Sequence, residues 1–309
     1  MNSRQCRHNN YRKCIRCICI CPQQICPPDP ICTPPAMSFG AGGGQAGYAV
    51  TQGKTVKLFG VGGGGGGAGV FIQTGGTGDF SGGGGGGRGS FDLIQTTISR
   101  SGELIYTVGL GGFGGEFNQN GEDGGDTVIS LIPSDGSPTI ELLRATGGEG
   151  GFSNRPQGQV LPDGGAPGGG GGSGVVLGTQ RVIGQGGAPF PGEEGRNAYN
   201  DGAGGEGGTG PRLPLGVTGF DFVSRIPNVG GGAGSPPTPL LPGRLLIGGG
   251  GGAGGVGVSG TEAGSVRGED SGTNGGKGGI GWGAGGGGSV EQTVNGGKGA
   301  NGVVGILFL

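Results

Sequence analysis

Short apolar segments recur along the chain between runs of glycine. Several of them alternate, as Leu104, Tyr106 and Val108 do on one face of a predicted strand. The pattern predicts nine β-strands, at residues 55–61, 90–98, 104–108, 127–132, 139–143, 175–177, 217–223, 245–247 and 303–309. The turn-forming sequence Ser-Asp-Gly-Ser-Pro at 134–138 predicts a hairpin between two of them. Strands of this length predict a small β-sandwich.

Runs of consecutive glycine separate these strands, at 62–67, 82–87, 168–172, 248–252 and 285–288. Glycine loses more backbone freedom on folding than any other residue, but it lets backbones approach with no Cβ between them. A polyproline II-type helix has three residues per turn and no internal hydrogen bonds. Neighbouring all-glycine helices can therefore satisfy each other's amides and carbonyls. We predict a bundle of polyglycine II helices.

Two other interpretations of the glycine runs are less favoured. A collagen triple helix needs a fixed Gly-X-Y period, which the chain lacks. A flexible glycine linker does not need strand-like segments spread over its whole length.

The composition excludes a large aliphatic core and most helix. Glycine accounts for 93 of 309 residues, and 31% of residues are apolar. Glycine costs about 1 kcal/mol at each helical position. We expect a mainly β and irregular fold, with a polyglycine II bundle, a small β-sandwich and almost no α-helix.

Cysteine, glycine and charge divide the chain into residues 1–39 and 40–309. The first segment has all seven cysteines, six prolines and no glycine, whereas the second has all 93 glycines and no cysteine. Five basic residues against one acidic residue give the first segment a net charge of +4, and 14 against 20 give the second a net charge of −6. This division predicts a basic, extended Cys/Pro-rich anchoring arm followed by a glycine-rich domain.

The cysteines are the candidate anchoring residues of the arm: Cys6, Cys14, Cys17, Cys19, Cys21, Cys26 and Cys32. We favour disulfide bonds, because small segments without a core are usually stabilised that way. The odd number leaves one thiol for a partner chain or free. Zinc bound by the Cys-x-x-Cys at 14–17 and His8 is a weaker interpretation, because the spacing is crowded. Lipidated cysteines beside a basic run are the third, and residues 1–13 also fit a solvated flexible arm.

No catalytic or cofactor-binding constellation is present in the sequence. The Gly-Lys-Thr at 53–55 is like the end of a phosphate-binding loop, but Tyr48 stands where its first glycine belongs and a predicted strand follows. His8 is the only histidine. Asp123 and Asp126 lack the ligand spacing of a calcium loop. We expect a protein that is not an enzyme and has no cofactor or metal.

Aromatic residues between the glycine runs are candidate recognition residues. Phe190, Tyr199 and Trp282 are the receptor-binding candidates, because loops on a rigid scaffold commonly carry binding. We favour the alternative that the loop aromatics cap the ends of the glycine bundle; these also include Phe80, Phe113, Phe117 and Phe152.

The order of motifs resembles a known glycine-rich domain. Strand, glycine run, loop, glycine run and strand precede Tyr-Thr-Val-Gly-Leu-Gly-Gly at 106–112, Gly-Gly-Asp-Thr at 124–127, Ala-Thr-Gly-Gly at 145–148 and Gly-Gly-Lys-Gly-Ala-Asn-Gly-Val-Val at 296–304. Over roughly residues 50–309 the chain is similar to the glycine-rich domain of phage tail-fibre adhesins and of the anaplastic lymphoma kinase ectodomain. The resemblance implies polyglycine II helices beside a small β-sandwich, in which strands 55–61 and 303–309 come close together. It also implies bundle-end loops that contact a host receptor.

These observations favour a structural virion protein, such as a minor capsid or fibre component, that is made in the host cytoplasm. We expect its arm to bind other virion proteins within a larger assembly. No window approaches the roughly 20 apolar residues of a membrane helix, and the N-terminus lacks the apolar region of a signal peptide.

Two other functions are compatible with the sequence. One is a receptor-binding adhesin that uses the loops between glycine runs. The other is an ice-binding protein, which is disfavoured because irregular glycine spacing gives no flat repetitive face. No nucleic-acid partner is expected, because the basic arm has no recognisable fold or aromatic platform.

Overall fold

The computed structural model describes residues 36–38, 47–72, 80–153, 174–176, 182–183, 207, 233, 238–241, 245–252, 254–255 and 267–309. The chain divides into two units, Met1–Pro34 and Pro35–Leu309. The first unit, with all seven cysteines and His8, lies outside the described residues. Disulfide, zinc and lipid interpretations of the arm therefore stay predictions.

The described residues form fourteen β-strands and no helix. In chain order these are β1 (Ala36–Ser38), β2 (Gly47–Val50), β3 (Thr55–Val61), β4 (Phe71–Ile72), β5 (Phe80–Ser81), β6 (Phe91–Thr97), β7 (Gly102–Thr107), β8 (Thr127–Pro133), β9 (Ile140–Ala145), β10 (Gly174–Val176), β11 (Val182–Ile183), β12 (Thr238–Leu241), β13 (Leu245–Gly248) and β14 (Val303–Phe308). The prediction of a mainly β fold with almost no α-helix is confirmed. The predicted strand at 217–223 lies outside the described residues.

Two antiparallel sheets of four strands each form the sandwich. One has the order β1-β14-β3-β6, and the other has the order β2-β7-β8-β9. β3 and β14 pair along their lengths, from Val61 opposite Val303 to Val56 opposite Phe308, so the two strands that the resemblance places close together are neighbours. The predicted hairpin is also present, because β8 and β9 pair across the turn that begins at Ser134.

The main hydrophobic core lies between the two sheets. Side chains alternate along β3, so that Leu58 belongs to this core while Phe59 belongs to a smaller cluster with Val61 and Val303. The buried residues of the main core are Val50, Val56, Leu58, Ile98, Leu104, Tyr106, Val108, Ile129, Leu131, Leu143, Ala145, Val304 and Ile306. β3 thus has apolar packing on both of its faces, and it leads directly into the first glycine run.

Rod 62–69, which follows β3, is a centre of the glycine bundle: each of its amides donates a hydrogen bond and the carbonyls of residues 63–68 accept one. Its amides donate outward in turn, and residues three apart meet the same neighbour: Gly63 donates to Gly125 O and Gly66 donates to Glu122 O, both at 2.9 Å. This is the three-residue turn of a polyproline II-type helix. Three antiparallel neighbours accept hydrogen bonds from its amides: rods 82–90, 119–125 and 296–302. Three parallel neighbours donate hydrogen bonds to its carbonyls: rods 109–115, 146–152 and 284–289.

Rod 284–289 is a second centre of the same kind. Gly286 N and Ser289 N donate to rod 62–69, while Gly287 N and Gly288 N donate to two other neighbours. Its six hydrogen-bonded neighbours are rods 62–69, 82–90, 249–255 (described except for residue 253), 267–270, 276–279 and 296–302. All residues of both central rods are buried, as expected for backbones that touch other backbones on every side.

The bundle separates the sandwich from a third sheet. Rod 62–69 leaves β3 in the sandwich and ends at β4, and rod 82–90 begins after β5 and ends at β6. The third sheet has the order β11-β10-β13-β12. Its strand β13 continues into rod 249–255, which lies beside Gly83, because Gly250 N donates to Gly83 O. The third sheet therefore lies at the far end, here called the distal end. Eight residues at 3.1 Å each make the first rod about 25 Å long.

Candidate functional site on the outer rods

Two outer rods, 109–115 and 146–152, carry a side chain at every third residue, and glycine fills the places between them. In rod 109–115 the outward residues are Leu110 and Phe113, and Glu116 continues the row. A Cβ at Gly112 would overlap the carbonyl oxygen of Glu122, and a Cβ at Gly111 would overlap that of Gly299. Because the helix has three residues per turn, such a row lies on one line with a spacing of about 9 Å.

Rod 119–125 presents a ladder of side-chain oxygens to the adjacent rod 146–152. Three backbone amides donate to it: Gly147 N to Asp126 Oδ1 (3.0 Å), Gly150 N to Asp123 Oδ1 (2.8 Å) and Ser153 N to Asn120 Oδ1 (2.9 Å). Both series advance by three residues in opposite directions, as antiparallel three-residue helices require. The ladder provides hydrogen-bond acceptors for amides that do not donate to a backbone carbonyl of a neighbouring rod.

The carboxylates of this ladder have backbone partners, so a calcium role is not needed to explain them. Within the described ranges, no group of three or more His, Cys, Asp or Glu side chains could hold a metal ion.

Arg144 on β9 extends the ladder with ion pairs. Its Nη1 lies 2.6 Å from Asp126 Oδ2, and its Nη2 lies 2.5 Å from Glu141 Oε2. The hydrogen bond from Arg144 holds the pKa of Glu141 below its ordinary value. β9 ends the order of its sheet, and charged side chains on an edge strand discourage pairing with another chain.

An apolar row is exposed on rod 109–115. Leu110 is 46% exposed and Phe113 is 61% exposed. Lys298 Nζ lies 4.6 Å from the centre of the Phe113 ring, within range of a cation–π interaction. Phe113 therefore lies on the side of the bundle, and the prediction that it caps a bundle end is wrong.

The described distal turns are rich in amides and hydroxyls. Rod 109–115 turns back through Glu116, the 36% exposed Phe117 and Asn118, which has a positive φ of 59°. Two further distal turns, one containing Asn274 and the other containing Glu291, are joined by a hydrogen bond in which Asn274 Nδ2 donates to Glu291 Oε1 at 2.8 Å. These turns are the described counterpart of the bundle-end loops expected from the resemblance.

Of the three receptor-binding candidates, the structure describes Trp282. Phe190 and Tyr199 lie outside the described residues. Trp282 is half-buried in a turn at the sandwich end, where it packs against the cluster of Phe59, Val61 and Val303. Its role in recognition stays a prediction.

Arg88 is the largest fully buried side chain in the described part of the chain, at 1% exposure inside rod 82–90. Burial lowers the pKa of Arg88 to about 10, so the guanidinium is charged in the folded protein at neutral pH. The charge is present at a cost, because moving it out of water is unfavourable.

We expect the Arg88→Met variant to be as stable as the wild type at neutral pH, or more stable by up to about 2 kcal/mol, because methionine fills the space without a charge. The folded pKa lies below the unfolded one, so the unfolded chain binds more protons above about pH 10, and the cost of Arg88 shrinks only as the pH rises through that value. The advantage of the variant is therefore expected to be full near pH 8 and smaller near pH 11. Urea unfolding at the two pH values measures it.

Arg88→Ala is the matched control for volume. It removes the charge but leaves a cavity, and it is expected to be less stable than Arg88→Met by about 2 kcal/mol or more. A methionine variant that is less stable than the wild type at every pH would contradict the assignment of a desolvation cost to Arg88.

No protein-family model matches the chain, and no curated protein matches it. In the part of the chain that the structure describes, no helix has the length and apolarity to cross a membrane.

Proposed function

We propose that this chain is a non-enzymatic structural protein of a virus particle. In this proposal its glycine-rich unit is a rigid module, and its Cys-rich arm attaches the module to other virion proteins. The observation that supports the proposal most directly is the saturation of rods 62–69 and 284–289 by six neighbours each. Displacing one such rod breaks hydrogen bonds to several others, so the cross-section resists bending and shear. The resemblance to phage tail-fibre domains supports the viral context.

The connectivity of the chain supports attachment at one end of the module. β1 lies in the last residues of the predicted arm but belongs to the second unit, and it pairs with β14 in the sandwich, with Ala36 opposite Ile306. The third sheet and the distal turns lie beyond the rods. Such a module is suited to hold a distal surface away from its point of attachment.

Deletion of residues 1–34 tests the proposal. In cells that produce the particle, the full chain is expected to co-purify with particles and the deleted chain is expected to be lost from them. The deletion stops before Ala36 because β1 is part of the first sheet, and an unchanged thermal midpoint of the deleted chain is the control for folding. Equal incorporation of both chains would rule out anchoring by the arm.

A receptor-binding adhesin is the second candidate function, and the distal turn with exposed Phe117 favours it. In this case the full chain binds host cells, and Phe117→Ala reduces that binding by about tenfold, as removal of an aromatic anchor does. Ile132→Ala is the matched control, because Ile132 is an exposed apolar residue of the sandwich. The Phe190→Ala, Tyr199→Ala and Trp282→Ala variants test the candidates from the sequence. Absence of cell binding by the wild type would reject the adhesin.

A further inference from the structure

We propose that two copies of this chain associate side by side through the outer face of rod 109–115, with their rods parallel and related by a two-fold axis along the rod direction. The proposal goes beyond the structural role above and does not depend on it. It rests on an exposed apolar row and on the charges that flank it.

The row itself is unusual for a bundle whose other outward positions are mostly polar. Leu110 and Phe113 stand one helical turn apart on the same line, and both are about half exposed or more. Large apolar side chains that are grouped on a surface mark interaction sites more often than singly scattered ones do. The Leu110 side chain and the Phe113 ring together form a ridge along the rod.

Opposite charges flank this ridge. Rod 296–302 lies on one side and carries Lys298, whose ammonium is 4.6 Å from the centre of the Phe113 ring. Rod 119–125 lies on the other side and carries the exposed Glu122, whose backbone N donates to Phe113 O at 2.9 Å. The cation and the anion are therefore at the level of the same aromatic residue, on opposite sides of it.

The carbonyl groups of the two ridge residues accept hydrogen bonds within the bundle. Leu110 O accepts from Gly125 N, and Phe113 O accepts from Glu122 N. A partner therefore contacts the side chains of this face. These two carbonyls already have donors and are not available for pairing with an added strand. The partner must offer an apolar ridge and a complementary pair of charges.

A second copy of this face offers both, in one orientation. A two-fold axis along the rods brings Phe113 and Leu110 of the two copies together and places each Lys298 opposite Glu122 of the other copy. A two-fold axis across the rods instead places lysine against lysine and glutamate against glutamate. Symmetric pairs use the same patch on both copies, and like charges in contact are unfavourable. The parallel pair also brings the two Glu116 side chains, which continue the ridge line, into one like-charge contact. It gains two lysine–glutamate contacts, however, whereas the axis across the rods gives lysine–lysine and glutamate–glutamate contacts alone. The charges therefore select the parallel pair.

The experiment measures the mass of the full chain by sedimentation equilibrium in reducing buffer, which removes disulfide links between arms. The wild type is expected to form dimers that dissociate on dilution. Lys298→Glu and Glu122→Lys each create two like-charge contacts, and each is expected to weaken the dimer by about tenfold. The double variant exchanges the charges and is expected to return to within about threefold of the wild type.

Phe113→Ser tests the apolar ridge and is expected to abolish the dimer. All of these side chains are exposed or half-exposed, and an unchanged thermal midpoint in each variant shows that folding is intact. A wild type that remains monomeric at all concentrations overturns the proposal. So does a dimer or trimer that the single charge reversals leave unchanged, or one that the double variant fails to restore.

Discussion

Replacing Gly66 with alanine is expected to lower the free energy of unfolding by about 3 kcal/mol or more, because an added Cβ in the central rod has no space to occupy. A Cβ at Gly66 would overlap the carbonyl oxygen of Phe113, which is backbone and cannot rotate away. Rod 109–115 would have to move outward. That movement stretches the bonds from Gly112 N to Gly64 O and from Gly115 N to Gly67 O, both 2.8 Å long.

Urea unfolding of the full chain in reducing buffer measures this loss, with the slope of the transition as a check that both states are otherwise unchanged. Gly125→Ala is the matched control. Gly125 belongs to an outer rod and is exposed, and the nearest atom to its added Cβ is Leu110 N at 3.2 Å. We expect this control to cost about 1 kcal/mol at most. Equal losses in the two variants would show that rod 62–69 is not packed on all sides.

Replacing Thr127 with valine is expected to cost about 3 kcal/mol, because it leaves buried backbone groups without their side-chain partner. Thr127 is fully buried at the start of β8. Its Oγ1 donates to Val61 O at 2.6 Å and accepts from Gly109 N at 2.8 Å. One hydroxyl thus joins the end of β3, the start of rod 109–115 and the second sheet. Valine has nearly the same shape, so the loss reports on hydrogen bonds and not on volume.

Thr127→Ser is the control for this prediction. Serine keeps the hydroxyl and loses one methyl group, so a cost of about 1 kcal/mol is expected. Thermal unfolding of the three proteins compares them under one condition. If valine is tolerated as well as serine, the hydroxyl does not hold the sandwich and the bundle together.

The glycine bundle and the main strands were predictable because both follow from local chemistry. A long glycine run has little use except close backbone packing, and β3 has the predicted bounds because Thr55–Val61 is a run of β-forming residues. The short strands β1, β2, β4, β5, β11 and β12 were not predicted. β12 contains Pro239 and ends the order of its sheet, where proline is allowed. Such short strands form because a neighbouring strand pairs with them, and the identity of that neighbour cannot be read from the local sequence.

The sequence also contains a local triplet pattern. No single period runs along the whole chain, but triplets with two glycines occur around Leu110 and Phe113 and around Thr146 and Glu149. The structure explains the difference: a rod with six neighbours is glycine except near its ends, where Ala68, Ala284 and Ser289 lie, whereas an outer rod has room for side chains in each turn. The number of glycines per triplet therefore indicates the place of a rod in the bundle.

The side-chain roles were less predictable because they depend on which rods are adjacent. Asn120 and Asp123 accept hydrogen bonds from amides about thirty residues away. Their three-residue spacing matches the spacing of those amides only when an antiparallel rod lies beside them. Trp282 lies between glycines like a loop residue, yet it packs on a cluster formed by β3 and β14. Long-range neighbours decide both cases.

The central position of rod 62–69 has a consequence for biosynthesis. Two of its six neighbours, rods 284–289 and 296–302, belong to the last part of the chain. A ribosome adds roughly 5–20 residues each second, so the early glycines wait many seconds with amides and carbonyls open to water. Closing contacts between such distant segments also costs chain entropy before it is repaid. Completion of the bundle must therefore wait for the synthesis of rod 296–302, and a nascent chain that stalls before that rod remains without a closed interior.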